Sequence, residues 1–453
     1  MKAVSVPLSD LYALKPRALW RAFASDNFAF WMSCCYLFFE YVRPQAIWTF
    51  LDFYPYWARS FVILAFIGWL LDRNRRFVWT KITTLVLVFQ VVIILSSLNA
   101  YWPEESWDEF MTLFNWVVVF FVLTQTVTTR QRFYILLLVF LVASFKLSLG
   151  NAIIFARRGF AFTHWGLTGP VGFFQNSGEL AIQMVVFGAI AYYFILGIRP
   201  YLKQRFAYFL YLMPITAAIT TLGTSSRGGQ LALFSVLLGM VLVAKHRFKI
   251  MLLAIFLALF AFLLLPEQQK ARFEQIGNDE TSQQRILYWK HGWQMIKDHP
   301  ILGVGYFNFV PYYRNNHSED IVIEHHKREL YVEVPHNIII QVGTDAGFIG
   351  IAIFIGLIIW SFLLMRRIRK EADKSNDIFV ANMCRGMNLA LIGYFVAGQF
   401  VTVAYYPFLW IHLVFVTSMG TFWKNEKATG TVPVYHIPEK QAVKSAKPLV
   451  ASL

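Results

Sequence analysis

The sequence predicts an all-α polytopic membrane protein, and three observations carry that expectation. Its 453 residues are 57% hydrophobic and 18% aromatic but only 15% charged, whereas soluble domains carry about 45–50% apolar and about 25% charged residues. Apolar stretches recur from Phe28 to Phe422, and a bilayer span needs about 20 such residues, with roughly 17–25 tolerated. Between these stretches lysine and arginine collect in alternate short loops, which is how cytoplasmic loops are recognised.

Taken in order, the spans fall near 26–43, 57–72, 81–98, 112–128, 132–153, 178–197, 205–224, 229–244, 248–266, 345–366, 378–402 and 406–423, about twelve in all. One side holds Arg73, Arg75, Arg76 and Lys81, then Arg130 with Arg132, Arg199 with Lys203 and Arg205, Lys245 with Arg247 and Lys249, and finally Arg366, Arg367, Arg369 and Lys370. The first intervening loop instead carries Glu104, Glu105, Asp108 and Glu109. This parity makes both termini cytoplasmic: residues 1–25 form the N-terminal segment and 424–453 a disordered polar tail. Residues 26–266 then hold nine spans, 267–344 one large extracytoplasmic loop and 345–423 the last three spans. The first span follows Lys15, Arg17 and Arg21 and has no small-residue cleavage site, so it is expected to stay as an anchor.

Composition also excludes some functions. The formal charge of +15 is split into short clusters between apolar spans, not gathered in a basic patch interleaved with exposed aromatics, so nucleic acid is not an expected partner. Cys34 and Cys35 are adjacent in an apolar run and Cys384 lies far away, which leaves neither a disulfide framework nor a metal-knuckle spacing. Four arginines, Arg157, Arg158, Arg227 and Arg285, fall on the side that normally avoids them. Each alone reads as a snorkelling or ion-paired side chain; four together point to an anion site.

Within the large loop, Thr281 to Gln284 has capping-box spacing. It predicts a helix with Ile286, Trp289, Trp293 and Ile296 on one face, Arg285 at its edge, and an end before Pro300. Such a helix either lies on the bilayer surface or packs on the membrane domain. Gly303 and Gly305 permit a tight turn after it. The polar run from His317 to Glu329 has no H-E-x-x-H arrangement, and its adjacent His325 and His326 cannot share a helical face, so no metal site is expected. Pro335 suits a first helical turn, after which His336, Gly343, Gly347 and Gly350 would share one stripe, with Gly343 and Gly347 at G-x-x-x-G spacing. His336 reads either as an interfacial hydrogen-bonding side chain or as a base suited to near-neutral pH. At another span junction, Thr224 to Gly229 offers glycines beside Arg227, a phosphate-gripping residue type.

These pieces together resemble the bacterial O-antigen ligases and their polymerase relatives. His336-Asn337, nine further residues and Gly347-Phe348-Ile349-Gly350 is similar to that family's H-[NSQ]-x9-G-x-x-G motif. Pro300 to Gly305 with Phe307-Asn308-Phe309 is similar to the segment before it, Arg285 sits in an R-x-x-x-W-x-x-x-W type helix, and Ser226-Arg227-Gly228 resembles the family's S-R-G. Gly169-Pro170 through Asn176 resembles its loop between the fifth and sixth spans. The resemblance implies a GT-C-like, metal-independent glycosyltransferase without cofactor in the bacterial inner membrane, with a periplasmic active site. Its donor would be a completed glycan on undecaprenyl diphosphate, and its acceptor a sugar hydroxyl of lipid A-core. His336 would be the general base. Arg227 and Arg285, with Arg157 or Arg158, would bind the diphosphate, with Asn337, Gly347, Gly350 and Asn176 as supporting motif positions.

Phe38 to Pro44 is also similar to ligase-like proteins linked to protein sorting systems, whose acceptors are protein or extracellular polysaccharide, so a protein O-glycosylation ligase stands beside the lipid A-core ligase, as does a polysaccharide polymerase, which would use the same chemistry on another lipid-linked glycan. A polyprenyl-linked glycan transporter is a further alternative, although no inverted repeat with interrupted spans is evident.

Overall fold

The computed structural model describes residues 6–162, 166–243, 280–317 and 332–431. Among these residues the fold is helical, without strands. The helices are α1 (Leu8–Tyr12), α2 (Pro16–Ala24), α3 (Phe28–Val42), α4 (Trp57–Leu71), α5 (Lys81–Leu98), α6 (Pro103–Asp108), α7 (Phe110–Thr126), α8 (Arg130–Arg157) and α9 (Ser177–Ile198). They continue as α10 (Gln204–Leu210), α11 (Leu212–Gly223), α12 (Arg227–Leu242), α13 (Glu280–Asp298), α14 (Phe309–Asn316), α15 (Ile338–Lys374), α16 (Ile378–Gly398) and α17 (Pro407–Thr429).

Eleven of the twelve predicted spans coincide with helices, and the ninth, 248–266, lies outside the described residues. Seven segments among the described residues are long and apolar enough to cross a membrane: α5, α6 with α7, α8, α9, α10 with α11, α15 and α16. Two more, α4 and α12, are apolar but shorter.

The predicted starts are set by side chains that accept orphaned helix-terminal N–H groups. Asn27 accepts from Phe30 N (3.0 Å), Thr80 from Thr83 N (3.1 Å), Ser226 from Gly229 N (3.2 Å) and Asp377 from Val380 N (3.0 Å). The bundle centres on α9, buried along most of its length. Glycines let α16 lie against it: a Cβ on Gly393 would stand 2.5 Å from Val185 Cγ1, and one on Gly386 2.9 Å from Tyr193 Cβ. Between helices in lipid, such close backbone approach supplies the packing that the hydrophobic effect cannot.

Charged contacts collect at one end of the bundle. Asn27 donates to Asp72 beside the Arg73–Arg76 run (2.7 Å), and Asp26 pairs with Arg132 (2.6 Å). Arg130 bridges the starts of α8 and α16 and the end of α17 through Asp377 and Glu426, each at 2.6 Å. The 21 residues of α16 run from this end to the other, a rise of about 30 Å that matches a hydrocarbon core.

Two expectations are corrected. Helix α13 includes Thr281 instead of being capped by it. Helix α15 starts at Ile338, behind an Asn337 cap, so Pro335 and His336 precede it. The side chain of Asn337 accepts from both Ile339 N (2.8 Å) and Ile340 N (3.1 Å), which fixes the start there and not at the proline.

Candidate active site

At the end of the bundle opposite Arg130, the loop that leaves α16 gathers the starts of three helices. Asn337 Nδ2 donates to the carbonyl and the side chain of Gln399, both at 3.3 Å. Phe400 and Val401 lie against Gly228 and Gly178, where a Cβ would come within 2.7 Å and 2.9 Å of them. Thr402 Oγ1 accepts from His336 N at 2.8 Å. Asn176, an exposed residue at the start of α9, donates to Glu179, which Tyr406 of the same loop also bonds. The motif residues Asn337, Gly228 and Asn176 thus form a frame around His336 and Arg227.

His336 has a left-handed backbone, φ 50°, which costs a non-glycine residue energy unless its surroundings hold it. The Thr402 bond on its N–H holds one side. On the other, Trp289 Nε1 donates to the Pro335 carbonyl at 2.7 Å. The imidazole Nε2 meets Glu333 Oε2 at 3.2 Å. The hydrogen bond with His336, together with the nearby charge of Arg285, holds the Glu333 carboxyl below its ordinary range. An ionised carboxylate only accepts, so the ring donates in this contact when Nε2 bears a proton.

The arginines approach from α12 and α13. Helix α13 packs along α15, with a Cβ on Gly292 falling 2.4 Å from Ile340 Cγ2 and one on Gly343 2.4 Å from Ile296 Cδ1. This is the docked arrangement, not a helix lying free on a bilayer. Arg227 at the start of α12 donates to Ser282 of α13 at 3.4 Å, and Arg285 follows one turn later, beside Glu333. Arg227 thus touches the helix that carries Arg285, whose charge acts on Glu333, and Glu333 in turn meets His336. Arg157 and Arg158 end α8 just beyond Phe155, which packs against Gly223 close to Arg227. Both are exposed; Arg158 N donates to Ile154 O at 3.1 Å, and neither guanidinium has a hydrogen bond or ion pair to a side chain among the described residues.

The expected glycine stripe is not one helical face. Helix α15 is interrupted at Ala346 (φ −148°, ψ 15°) and Gly347 (φ 63°, ψ −164°). Backbone groups released by the break find other partners. Thr344 O accepts from Val304 N (2.8 Å), Asp345 O accepts from Ser96 Oγ, and Phe348 N donates to Pro300 O (2.8 Å). The buried Asp345 carboxyl accepts from Phe307 N (3.0 Å) and Tyr405 OH (2.8 Å). The segment from Pro300 to Phe307 is thereby locked into the break. Gly343 packs α13, Gly350 makes room beside Ala346, and Gly347 is the hinge, where a Cβ would fall 2.5 Å from the Ile301 carbonyl carbon. Its φ/ψ region is essentially open to glycine alone, and Gly347→Ala is expected to cost about 3 kcal/mol. Thermal unfolding in detergent checks this against Gly356→Ala, whose Cβ would meet nothing within 4 Å; equal melting of the two variants would contradict the hinge.

Glu333, Tyr288, Gln399 and Thr402 surround His336 and Asn337 without having been singled out in the sequence. Only Glu333 left a signal, as an acid closely preceding the histidine. Among the described residues no group of His, Cys, Asp and Glu could hold a metal ion. Of the polar run from His317 to Glu329, only His317 lies within the described residues.

Residues 212–355 match the family model described as O-antigen ligase. That stretch includes Arg227, Arg285, His336, Gly347 and Gly350 but stops before the Gln399–Tyr406 loop. Residues 19–164 match a family of unknown function, DUF5935. No curated protein matches the chain.

Proposed function

From the match of residues 212–355 to the O-antigen ligase family model, we propose that the chain moves a completed glycan from undecaprenyl diphosphate to a sugar hydroxyl of lipid A-core. The observation that supports this reading is that Arg227 donates to Ser282 of the helix carrying Arg285, whose charge acts on the Glu333 carboxylate that His336 meets, two cations on the same side of the bundle as the histidine. His336 removes the proton of the incoming hydroxyl. The acceptor oxygen bonds to the anomeric carbon as the bond from that carbon to the diphosphate oxygen breaks, and the electron pair leaves with the diphosphate. Arg227 and Arg285 hold the developing negative charge, a task suited to preorganised cations in a partly dry site. Arg157 and Arg158, on the neighbouring rim, meet the same lipid-linked anion as it approaches. Attack opposite the leaving group inverts the anomeric centre.

The topology proposed with this chemistry is a GT-C-like bundle of about twelve spans in the bacterial inner membrane. The Arg130 end, flanked by the basic loops, is cytoplasmic with both termini, and the His336 end is periplasmic. The loop of 267–344 lies outside with the site, between nine spans and three.

Purified protein in EDTA, given labelled undecaprenyl-diphosphate glycan, tests the reading with separate acceptor arms. Conjugation to lipid A-core with an inverted linkage is the expected result. Extension only of a second lipid-linked glycan would make it a polymerase, conjugation only to protein an O-glycosylation ligase, and movement of donor across vesicles without bond formation a transporter.

A further inference from the structure

We propose that Glu333 is the positioning residue of this transfer: it holds the His336 imidazole with its proton on Nε2, so that Nδ1 is the atom that takes the acceptor's proton. This rests on His336 as the base and adds a residue to the machinery.

Three contacts pin the short segment that contains both residues. Glu333 N donates to Tyr288 OH at 3.1 Å, and that buried hydroxyl is itself bonded by Gln284 Nε2 at 2.9 Å. The Pro335 carbonyl is held by Trp289, and His336 N by Thr402. Glu333 and His336 therefore face each other with little backbone freedom. The His336 side chain keeps 24% of its surface open, leaving the imidazole partly accessible to a hydroxyl-bearing acceptor. Among the described residues, the charged or titratable groups facing the pair are Arg285 and Tyr288 of α13, with Arg227 reached through Ser282. The loop from Gln399 to Thr402, packed on the other side, brings none.

The chemistry needs such a partner. When the acceptor's O–H bond breaks, its proton moves to Nδ1 and the ring becomes an imidazolium. A carboxylate already bonded to Nε2–H stabilises that cation and prevents the ring from presenting the wrong nitrogen, as an oriented carboxylate does for a histidine base in general. Glutamine at 333 could still accept the Nε2–H bond but would bring no charge.

Steady-state transfer with Glu333→Gln and Glu333→Asp is the test. Glu333→Gln is expected to lower kcat about 100-fold while KM for donor and acceptor stays within about 2-fold, and Glu333→Asp to restore most of the rate. A parental kcat in the glutamine variant would overturn the inference. So would a raised donor KM at unchanged kcat, which would mean that Glu333 serves Arg285. The nitrogen-15 imidazole spectrum of the parent decides the point even if the variants fail to fold. With the His336 signals assigned by their loss in His336→Gln, a protonated Nε2 is expected, and a protonated Nδ1 with bare Nε2 would overturn the inference. A His336→Ala protein that transfers at the parental rate removes the base reading and this inference with it. An inactive His336→Ala beside a fully active Glu333→Gln removes this inference alone.

Discussion

His336→Ala is expected to reduce transfer at saturating donor and acceptor roughly 1,000-fold, within the range a positioned general base contributes. The loss should fall on kcat. Among the described residues the imidazole's one hydrogen bond is to Glu333, whereas Thr402 holds the residue through its main-chain N–H, a contact that alanine keeps. Alanine meets the same left-handed φ of 50° as the histidine it replaces, so folding should change little. Donor binding should also persist, because Arg227 and Arg285 stand on α12 and α13 and are not anchored by the imidazole. Single-turnover measurements with prebound labelled donor separate the two effects. A variant that binds donor normally and transfers at the parental rate would show that another group takes the proton. One that no longer binds donor would mean that His336 contributes to the diphosphate site.

How much of this was legible in the sequence depends on the range of the interactions. Helix existence is local: lengths of apolar residues were enough to locate the spans, and the caps at Asn27, Thr80, Ser226 and Asp377 act within a few residues of where those stretches begin. His336, Arg227 and Arg285 were singled out through their motif context, and the fold sets Arg227 against Ser282 and the charge of Arg285 near Glu333, which meets His336. The geometry around them was not legible. A run of Pro335, His336, Asn337 and isoleucines favours a helix starting at the proline, but the Asn337 side chain offers two N–H groups a better partner and moves the start. Gly343, Gly347 and Gly350 fit a packing stripe equally well on an unbroken helix. What breaks it is the docking of Pro300 to Phe307, a contact across some forty residues of chain that no periodicity records. Thr402 and Gln399 are silent for the same reason, as ordinary polar residues at a span end until the fold sets them against His336 and Asn337.

The largest stability effect is expected far from the site, at Arg130. Its guanidinium is 3% exposed and donates from Nη1 to Asp377 and from Nε and Nη2 to both oxygens of Glu426, with Tyr12 OH also within 3.3 Å of Nη1. The Asp377 side chain is fully buried and also caps α16. Arg130→Met would leave two carboxylates facing each other with no cation between them, and removing one partner of a buried ion pair costs about 3–5 kcal/mol. The variant should unfold at markedly lower temperature in detergent and accumulate poorly in the membrane. The penalty comes from uncompensated charge and not from lost attraction, so neutralising the partners should return much of it. Arg130→Met combined with Asp377→Asn and Glu426→Gln is therefore expected to be more stable than Arg130→Met alone, since asparagine can still cap α16. If the triple variant is no better than the single one, the cluster acts through packing of the arginine stem. The folded fraction of Arg130→Met should transfer glycan at the parental kcat, because about 30 Å of α16 separates this cluster from the His336 end. A lowered kcat in that fraction would mean that the two ends of the bundle are coupled.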